Sequence, residues 1–500
     1  MLASVESATL LGVEGYSVRV EVHTSDGLPG YTIVGLPDTS CRESRDRVRS
    51  ALICSDETWP TRRTTVNLAP GNLRKVGAGL DLAMAVGLVA AQGEVPISAL
   101  EGLCFLGELG LDGSLRPLVG MVPLAACCSG RPVVPASVLG EARLVRPDAL
   151  GASSLSEVMA ALRGDDPWPV VEEPRLKPAA RVVPDLSEVR GHAVARAALE
   201  VAAAGGHHLL MTGPAGSGKT MLAERLAGIM PRLGDHDAME ATKVHSAAGC
   251  LEGPSGLVRT PPFRSPHHTA SMAAMVGGGT TTLRPGEVSL ASSGVLFLDE
   301  LGEFPAAHLD ALRQPLESGR IRVSRAAISV DLPARVLLVA ATNPCPCGLL
   351  GFGACTCSEA QLARYRRRLS GPLIDRFDIR LGVGPPDPAS VFDGAPSECS
   401  ASVADRVVRA RRRAEGRGVQ CNRGLRGDAL REAAPLERDA ESLLRDHLAR
   451  GILTMRGADR SRAVALTLAD LRGVDGPLPR ELIEAALMLR GGDTPCAVPA

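Results

Sequence analysis

The sequence predicts a multidomain α/β and α+β protein with a central parallel sheet, a preceding α+β domain and a C-terminal helical lid. Its 500 residues exceed what a single hydrophobic core usually organises, so two or three domains are expected. Val295–Leu298 and Val336–Ala340 are apolar without polar alternation, which is typical of parallel strands covered on both faces. Residues 401–500 are rich in Arg, Ala and Leu and follow a helical pattern.

Two proline-rich stretches without periodicity separate these domains. Residues 164–184 contain five prolines and mixed charge, and residues 385–400 have a similar composition, so both are predicted to be linkers. The predicted domains are therefore 1–163, 185–384 and 401–500.

The first domain combines strand and helix patterns. Val18–Val22 and Thr64–Leu68 alternate as strands do, and Leu80–Ala91 is a long apolar stretch that favours a helix. The Asp112–Gly113 pair predicts a hairpin with a type I′ turn. Together these patterns indicate an α+β domain.

Composition limits the class of protein. The chain is 45% hydrophobic and 22% charged with a formal net charge of -1, so no global basic field attracts it to nucleic acid. No window approaches the roughly 18 apolar residues that a membrane span requires, and the N-terminus lacks a secretion signal. We expect a cytoplasmic protein without membrane contact, whose thirteen cysteines are reduced, buried or metal-bound.

A glycine-rich loop stands between a predicted strand at His207–Thr212 and a predicted helix at Met221–Met230. In the pattern G-x-x-x-x-G-K-T, successive backbone N–H groups converge on phosphate oxygens beside the positive end of a helix. A fortuitous glycine-rich turn is the alternative, but eight positions and both flanking elements agree with the pattern. The sequence therefore predicts an ATP site, with Lys219 on the β- and γ-phosphates and Thr220 on Mg²⁺. The predicted nucleotide-binding residues are Gly213, Pro214, Ala215, Gly216, Ser217, Gly218, Lys219, Thr220 and Asp299.

Two further strands end in polar residues that suit nucleotide hydrolysis. The apolar strand at 295–298 is followed by Asp299 and Glu300, where Asp299 is predicted to bind Mg²⁺ through water and Glu300 to act as general base. The strand at 336–341 leads to Asn343, which could orient the attacking water or simply cap the strand. An acidic strand end is common alone, but after a phosphate-binding loop it indicates catalysis.

With these residues in hand, the chain resembles the YifB/ComM family of magnesium-chelatase-like AAA+ ATPases over essentially its whole length. The matching stretches are PFRSPHHTAS (262–271), RPGEVSLASSGVLFLDEL (284–301), ALRQPLESG (311–319), ATNPCPCG (341–348) and ARYRRRLSGPLIDRFD (363–378). The resemblance implies a P-loop AAA+ core that hydrolyses ATP in a ring of subunits, with a hexamer expected.

The resemblance also implies roles for single residues. Asn343 would be sensor 1, and Arg376 would be the arginine finger given to the neighbouring subunit's γ-phosphate. The alternative for Arg376 is a helix-end arginine paired with a nearby aspartate. Arg456 matches the sensor-2 arginine of the lid, although relatives usually read Ser-x-Arg-Ala and Arg460 or Arg462 could fill the role instead.

The first domain resembles the Lon protease-like domain, most clearly in GELGLDGSLRP at 107–117. Proteolysis there would require a serine nucleophile and an activating lysine. The nucleophile position falls on Gly79 and the lysine position falls near Val122. We therefore expect a catalytically inactive domain.

Four cysteines follow sensor 1 in the pattern C-x-C-x₇-C-x-C. Four thiolates so close together could hold a structural Zn²⁺, although zinc ligand pairs usually have two intervening residues. The alternative is a loop with four reduced thiols. The candidate ligands are Cys345, Cys347, Cys355 and Cys357.

Two insertions are candidates for DNA contact. Residues 320–331 are predicted to form two short strands, and in similar AAA+ motors a hairpin here points into the pore, where Arg322 and Arg325 could contact DNA phosphates. An exposed hairpin with solvated arginines is the alternative. Residues 264–294 contain His267 and His268, for which we expect a structural or DNA-facing role.

Two classes of function remain at this stage. The resemblance to the family of the competence protein favours an ATP-driven hexameric DNA motor, a helicase or branch-migration factor in recombination or natural transformation. The kinship with magnesium chelatase favours instead a protein remodeller or partner ATPase that does not act on DNA.

Overall fold

The computed structural model describes residues 1–171, 183–251, 256–279, 283–325, 328–368, 371–386, 388–392 and 397–491. Most of the predicted linker at 164–184 lies outside these ranges. The predicted linker at 385–400 contains a short helix at Pro388–Phe392.

A mixed seven-stranded sheet organises the N-terminal part of the chain. Its strands follow the order β3-β4-β2-β1-β5-β8-β9, and β6 pairs with β7 in a separate hairpin. The strands are β1 Leu2–Leu11, β2 Glu14–Ser25, β3 Gly30–Val34, β4 Arg63–Ala69, β5 Leu103–Phe105, β6 Glu108–Leu109, β7 Leu115–Arg116, β8 Arg131–Pro135 and β9 Leu150–Ala152. The helices are α1 Thr39–Cys54, α2 Asp81–Ala90, α3 Met121–Cys127, α4 Leu139–Arg143 and α5 Leu155–Arg163.

Apolar patterning accounts for the core of this part. β4 alternates buried and less buried residues, and all ten residues of α2 are buried. The predicted strands and helix are therefore confirmed. The predicted type I′ turn is wrong, because only Gly113 of the two turn residues has a positive φ (+83°). Asp112 instead accepts hydrogen bonds from the Ser114 amide (3.1 Å) and hydroxyl (2.6 Å), which favours a longer loop.

A five-stranded parallel sheet forms the central part, in the order β11-β12-β15-β10-β16. Its strands are β10 Leu209–Thr212, β11 Phe263–Arg264, β12 Val295–Leu298, β15 Leu337–Thr342 and β16 Ile379–Gly382, and the antiparallel hairpin is β13 Arg320–Arg325 and β14 Ile328–Pro333. The helices are α6 Ala193–Gly205, α7 Lys219–Ile229, α8 Asp235–Ala248, α9 Met272–Val276, α10 Glu287–Leu290, α11 Ala306–Ala311, α12 Arg313–Ser318, α13 Glu359–Arg368, α14 Gly371–Ile374 and α15 Pro388–Phe392.

The C-terminal part is helical, as predicted. Val407 and Leu466 belong to the same buried apolar cluster as Leu209 and Leu226 of the central part, so the helices pack directly on the sheet layer. Its helices are α16 Ser400–Glu415, α17 Gly427–Ala433, α18 Arg438–Ala449, α19 Met455–Arg472 and α20 Arg480–Met488.

The first turn of the chain reaches into the central part. Val13, between β1 and β2, is 4% exposed and packs in one apolar cluster with Ile321, Val330 and Leu332 of the β13–β14 hairpin. The backbone approaches so closely that a Cβ on Gly12 would lie 2.5 Å from a methyl carbon of Val330. The base of the hairpin and the N-terminal sheet therefore share a core.

The structure also bears on the expectations about the cysteines and about membrane spans. The cysteines were expected to be reduced, buried or metal-bound; Cys104 and Cys128 are buried but not reduced, because they form a disulfide with a Cα–Cα distance of 6.0 Å. Among the helices of the described ranges, none combines the length and hydrophobicity needed to cross a bilayer.

A buried carboxylate joins the helices of the C-terminal part. The carboxylate of Asp470 on α19 accepts hydrogen bonds from Arg413 Nε (3.0 Å), Arg417 Nη1 (3.1 Å) and Asn422 Nδ2 (2.7 Å). Arg413 also pairs with Asp475, whose side chain is 84% exposed. The two aspartates thus share Arg413 and differ in burial and in the number of their partners.

Replacing Asp470 by Asn should destabilise the protein, because two guanidinium groups lose a buried charged acceptor. We expect a loss of about 2 kcal/mol in the free energy of unfolding, measured by chemical denaturation. The matched change Asp475→Asn should cost less than about 1 kcal/mol, since exposed ion pairs contribute little. Equal losses in the two variants would contradict this account.

Candidate nucleotide-binding site

The glycine-rich loop joins β10 to α7 at one edge of the parallel sheet. Gly216 (φ +74°) and Gly218 (φ +84°) adopt the left-handed conformation, which a side chain would strain. A Cβ on Gly213 would lie 2.0 Å from the carbonyl oxygen of Val383, so only glycine fits there. The helix begins at Lys219, two residues earlier than predicted, and its first turn belongs to the loop's phosphate-facing surface.

Lys219 lies at the centre of this loop. Its ammonium donates to the carbonyl oxygens of Gly213 (2.8 Å) and Pro214 (2.7 Å) and lies 3.5 Å from Asn343 Oδ1. Burial lowers the pKa of Lys219, and the neighbouring carboxylates Asp299 and Glu300 oppose that shift. The lysine therefore stands between the loop and the ends of two other strands.

The acidic pair after β12 faces the start of α7. The Thr220 hydroxyl donates to Asp299 Oδ2 at 2.7 Å, which puts two oxygen ligands suited to Mg²⁺ side by side. The Glu300 amide donates to Asp299 Oδ1 at 2.9 Å. Glu300 itself has φ +51°, a left-handed conformation that is costly for a residue with a side chain and that concentrates at functional sites.

Asn343 follows β15, the strand between β12 and β10. Its carbonyl oxygen accepts a hydrogen bond from the Tyr365 hydroxyl at 3.0 Å, and the same hydroxyl lies 3.0 Å from Thr342 Oγ1. Tyr365 on α13 is a residue that sequence reasoning missed. Two signals could have found it: the chain contains only three tyrosines, and Tyr365 lies in the family-matching stretch 363–378.

The residues of the loop and the strand ends enclose one cavity of about 370 Å³. Its walls offer backbone N–H groups, one ammonium, three hydroxyls, two carboxylates and one side-chain amide. This donor set suits a nucleoside triphosphate with a divalent cation. The lining residues are Ala215, Gly216, Ser217, Gly218, Lys219, Thr220, Met221, Asp299, Glu300, Thr342 and Asn343.

A histidine that the sequence placed in an insertion lies against the acidic pair. His268 Nδ1 is 3.4 Å from Glu300 Oε2, and the rings of His267 and His268 lie 4.1 Å apart. The link was hidden in the sequence because 32 positions separate His268 from Glu300. One of the two histidines thus contacts the predicted general base.

Arg376 and Arg456 lie away from this cavity. They line a second cavity of about 330 Å³ together with Glu317, Asp378 and Arg460. Among its described lining residues, none belongs to the glycine-rich loop. The two arginines named in the sequence are therefore brought together with each other and not with the loop of their own chain.

Several of the charged side chains around the second cavity form ion pairs. Arg376, 9% exposed, forms an ion pair with Glu317 at 2.7 Å. Asp378 pairs with Arg423 (3.0 Å) and Arg460 (3.4 Å). Arg456 is exposed.

Of the two alternatives to Arg456, the structure separates one from this cavity. Arg462 donates to the carbonyl oxygen of Ala434 at 2.7 Å, within the helical part. Arg460 is tied to Asp378, and burial lowers its pKa.

Two buried histidines fix the strand that leads to the loop. His207 Nε2 lies 2.8 Å from Thr467 Oγ1, and burial lowers the pKa of His207 to about 4. His208 Nδ1 accepts a hydrogen bond from the Leu338 amide at 3.0 Å. Since burial also lowers the pKa of His208, both rings are neutral at neutral pH and tie β10 to β15 and α19.

The four cysteines after Asn343 meet in space. One sulfur from each of Cys345, Cys347, Cys355 and Cys357 lies within 4.8 Å of the others. Cys345 Sγ lies 3.3 Å from Cys347 Sγ and 3.7 Å from Cys355 Sγ. The Leu349 and Thr356 amides lower the pKa of Cys347 to about 5.

The cysteine cluster adjoins the nucleotide site. The Gly348 amide donates to the Cys345 carbonyl oxygen at 2.9 Å. A Cβ on Gly348 would lie 3.8 Å from the amide nitrogen of Ala215 in the glycine-rich loop. The turn at 345–348, which contains the first two cysteines, therefore packs beside the loop.

The predicted hairpin is confirmed as β13 and β14. Arg322 forms an exposed ion pair with Asp331 across the two strands at 2.8 Å. The backbone of Arg325 ends β13, whereas its side chain lies outside the described part of the structure.

Three family descriptions match successive parts of the chain. Residues 20–135 match the description "Subunit ChlI of Mg-chelatase", residues 185–390 match "Magnesium chelatase, subunit ChlI", and residues 397–490 match "Magnesium chelatase, subunit ChlI C-terminal". The parallel-sheet core with its many helices fits the AAA+-like fold of this group, which indicates an ATPase using ATP and Mg²⁺.

Relatives that match the whole chain or part of it support the same family. The chain is 41% identical over 505 residues to the uncharacterised protein YifB of Escherichia coli, covering 98% of this chain and 97% of the relative. It is 41% identical over 500 residues to the competence protein ComM of Haemophilus influenzae, covering 97% and 96%. The DNA helicase MCM8 of Gallus gallus is 24% identical over 207 residues, covering 38% and 21%. The chain therefore belongs to the YifB/ComM family of magnesium-chelatase-like proteins.

Proposed function

We propose that this protein is an ATP-driven DNA motor that works as a homo-oligomeric ring, with a hexamer expected. The observation that carries the proposal is the separation of the phosphate-binding cavity from the cavity that holds Arg376 and Arg456. A site divided in this way is complete only when two subunits meet. The action would be strand separation or branch migration during recombination, as the competence role in the name of ComM suggests.

In the proposed reaction, the residues of the first cavity act on the γ-phosphate. Lys219 would neutralise charge on the β- and γ-phosphates, and Thr220 and Asp299 would hold Mg²⁺, which supplies further charge neutralisation. Glu300 would accept a proton from the attacking water, and Asn343 would orient that water. His268 would hold the Glu300 carboxylate, given their 3.4 Å separation.

The arginines would complete the site of the adjacent subunit. A guanidinium stabilises charge that develops on the transferred phosphoryl group, and its loss typically costs a factor of about 10³–10⁵ in rate. Support comes from the shared cavity of Arg376 and Arg456, whose described lining includes no residue of their own glycine-rich loop. On this proposal both act on a neighbouring subunit's ATP.

Mixing two inactive variants tests this division. Lys219→Ala and Arg376→Ala should each lose ATP hydrolysis, the second by a factor of about 10³ or more. An equimolar mixture should regain activity, because about a quarter of the interfaces in a randomly assembled ring combine an intact Lys219 with an intact Arg376 of the neighbour.

The measurement is the steady-state rate of phosphate release. It is made on variants assembled separately and then mixed, and on variants mixed before assembly. As a control, Arg445→Ala should keep full activity, since Arg445 is an exposed arginine paired with Glu441 on α18. Variants that assemble together without recovering activity would contradict action between subunits.

The proposal that DNA is the substrate rests on the β13–β14 hairpin and on the named relatives. β13–β14 carries Arg322 on an exposed surface, where it could contact a phosphate. ComM and MCM8 carry names connected with DNA uptake and unwinding. The competing proposal, a protein-remodelling or partner ATPase, is supported by the similarity to magnesium-chelatase subunits and by the net charge of -1.

Stimulation of ATP hydrolysis by DNA distinguishes the DNA-motor proposal from the protein-partner proposal. The rate of ATP hydrolysis should rise on adding forked or four-way DNA, and Arg322→Ala should raise the half-saturating DNA concentration about threefold or more through loss of a phosphate contact. Asp331→Asn is the matched control, because it keeps Arg322 and removes only its partner. Lys219→Ala reports contaminating ATPase. A wild-type rate indifferent to every DNA form would favour the protein-partner proposal.

For the N-terminal part, we propose an inactive Lon protease-like scaffold. The proposed nucleophile position is Gly79, and Val122 at the proposed lysine position is buried in α3. Lys75 is fully buried and donates to the carbonyl oxygen of Pro70, so its ammonium is engaged by the backbone instead of by a serine. These observations support a role in positioning the hairpin instead of proteolysis.

We also propose that the cysteine cluster binds Zn²⁺. Four thiolates at about 2.3 Å from one tetrahedral ion lie roughly 3.8 Å from one another. The sulfur separations of 3.3, 3.7 and 3.6 Å among Cys345, Cys347 and Cys355 come close to that spacing, so the cluster fits the ion. Bound there, zinc would pin the segment after Asn343 against the glycine-rich loop.

Metal analysis of the purified protein tests this site. Wild type should contain about one zinc per chain, whereas Cys345→Ser should contain close to none, because a hydroxyl is a poor replacement for a thiolate ligand. Cys399→Ser, at an exposed free cysteine outside the cluster, should keep the wild-type content. Zinc near zero in all three proteins would refute the proposal.

A further inference from the structure

The end of α12 is joined firmly to the base of the β13–β14 hairpin. The Ser318 hydroxyl lies 3.0 Å from the Gln314 carbonyl oxygen and 2.9 Å from the Arg320 carbonyl oxygen. The Ala334 amide donates to the Gly319 carbonyl oxygen at 2.9 Å and closes the hairpin at its base. The last turn of the helix and the hairpin base are therefore expected to move as one piece.

Glu317 lies in that last turn and holds Arg376. Its carboxylate accepts from Arg376 Nη2 at 2.7 Å, and its side chain is about half exposed. Both residues line the second cavity. Beneath them, Leu316 and Ile321 share an apolar cluster with Phe377, the residue after Arg376. A change in the position of Arg376 thus has a direct physical route to the hairpin.

In the proposed function, Arg376 binds a second anion besides Glu317, namely the γ-phosphate in a neighbouring subunit. Arg376 is 9% exposed and its contact with Glu317 holds the guanidinium within its own subunit, so turning Arg376 to a neighbouring subunit's phosphate means moving it off the Glu317 carboxylate. Glu317 then loses its cation whenever the adjacent site holds ATP. The presence of ATP in one subunit's site would therefore determine whether Glu317, at the base of the next subunit's hairpin, keeps its arginine partner.

We propose that Glu317 is a positioning residue that couples the nucleotide state of the neighbouring subunit to the β13–β14 hairpin. With Arg376 bound to Glu317, the hairpin base is held; with Arg376 on the neighbour's phosphate, it is released. This inference rests on the proposed action of Arg376 between subunits and goes beyond it, because it assigns the route by which hydrolysis would move the hairpin.

Hydrogen exchange of the assembled full-length protein tests the coupling without requiring any particular substrate. In wild type, backbone amides of 320–325 and 329–332 should exchange at least about twofold faster with a non-hydrolysable ATP analogue than without it, as expected when a local restraint is removed. In Glu317→Gln the exchange should be fast in both states. An equal nucleotide-dependent difference in the variant, or no difference in wild type, would overturn the proposal.

Turnover supplies the second readout. Glu317→Gln should hydrolyse ATP faster than wild type without DNA, because Arg376 no longer has a competing carboxylate, and DNA should stimulate it by less than about a fifth of the wild-type factor. Glu317→Asp should retain part of the stimulation and guards against a folding defect. Glu441→Gln, on the exposed Arg445 pair, is the matched control and should behave as wild type.

The outcomes separate this inference from the proposed function. A parallel fall of stimulated and unstimulated turnover in Glu317→Gln would indicate a merely structural role and overturn the coupling. A wild-type protein that hydrolyses ATP but ignores DNA would end the DNA proposal, while the exchange experiment would still decide the role of Glu317.

Discussion

The parallel register of β12, β15 and β10 is the constraint on which the nucleotide site depends. Leu296 pairs with Leu338 and Leu210 pairs with Ala340, so the three strands end at the same edge of the sheet. That alignment delivers a lysine, an acidic pair and an amide to one cavity from three distant stretches of chain. A slip of one residue would move the residues after one strand end by about 3.3 Å relative to those after its neighbours, so assembly of the site depends on this register.

The second cavity is governed by charge compensation. The guanidinium groups of Arg376, Arg423 and Arg460 are at least partly buried, and burial is costly unless each charge meets a partner. Asp378 serves two arginines and its Oδ2 also accepts from the His208 amide at 3.0 Å, which links the cavity to the strand carrying the phosphate loop. Glu317 is the more exposed acid and therefore the partner more easily exchanged.

The sequence could predict features that depend on residues close together in the chain, but not contacts between residues far apart in it. The glycine-rich loop and the apolar strands were predictable because neighbouring residues determine them. Residues Tyr365, His268 and Glu317 contact the site across 22, 32 and 59 positions, and no local pattern records such contacts. The hairpin at Asp112 was located correctly, but its turn type was not, because the aspartate side chain bonded to Ser114 and stabilised a longer loop. The roles of the site residues remain proposals, although the geometry agrees with the chemistry expected of them.

The turn at Gly12–Val13 has a consequence for how the chain can be divided. Because Val13 completes an apolar cluster with Val330 and Leu332, cutting after residue 163 would uncover hydrophobic side chains beside the hairpin instead of leaving a clean domain end. The amino-terminal sheet serves as a piece of the ATPase interior, and the two parts should melt as one cooperative unit.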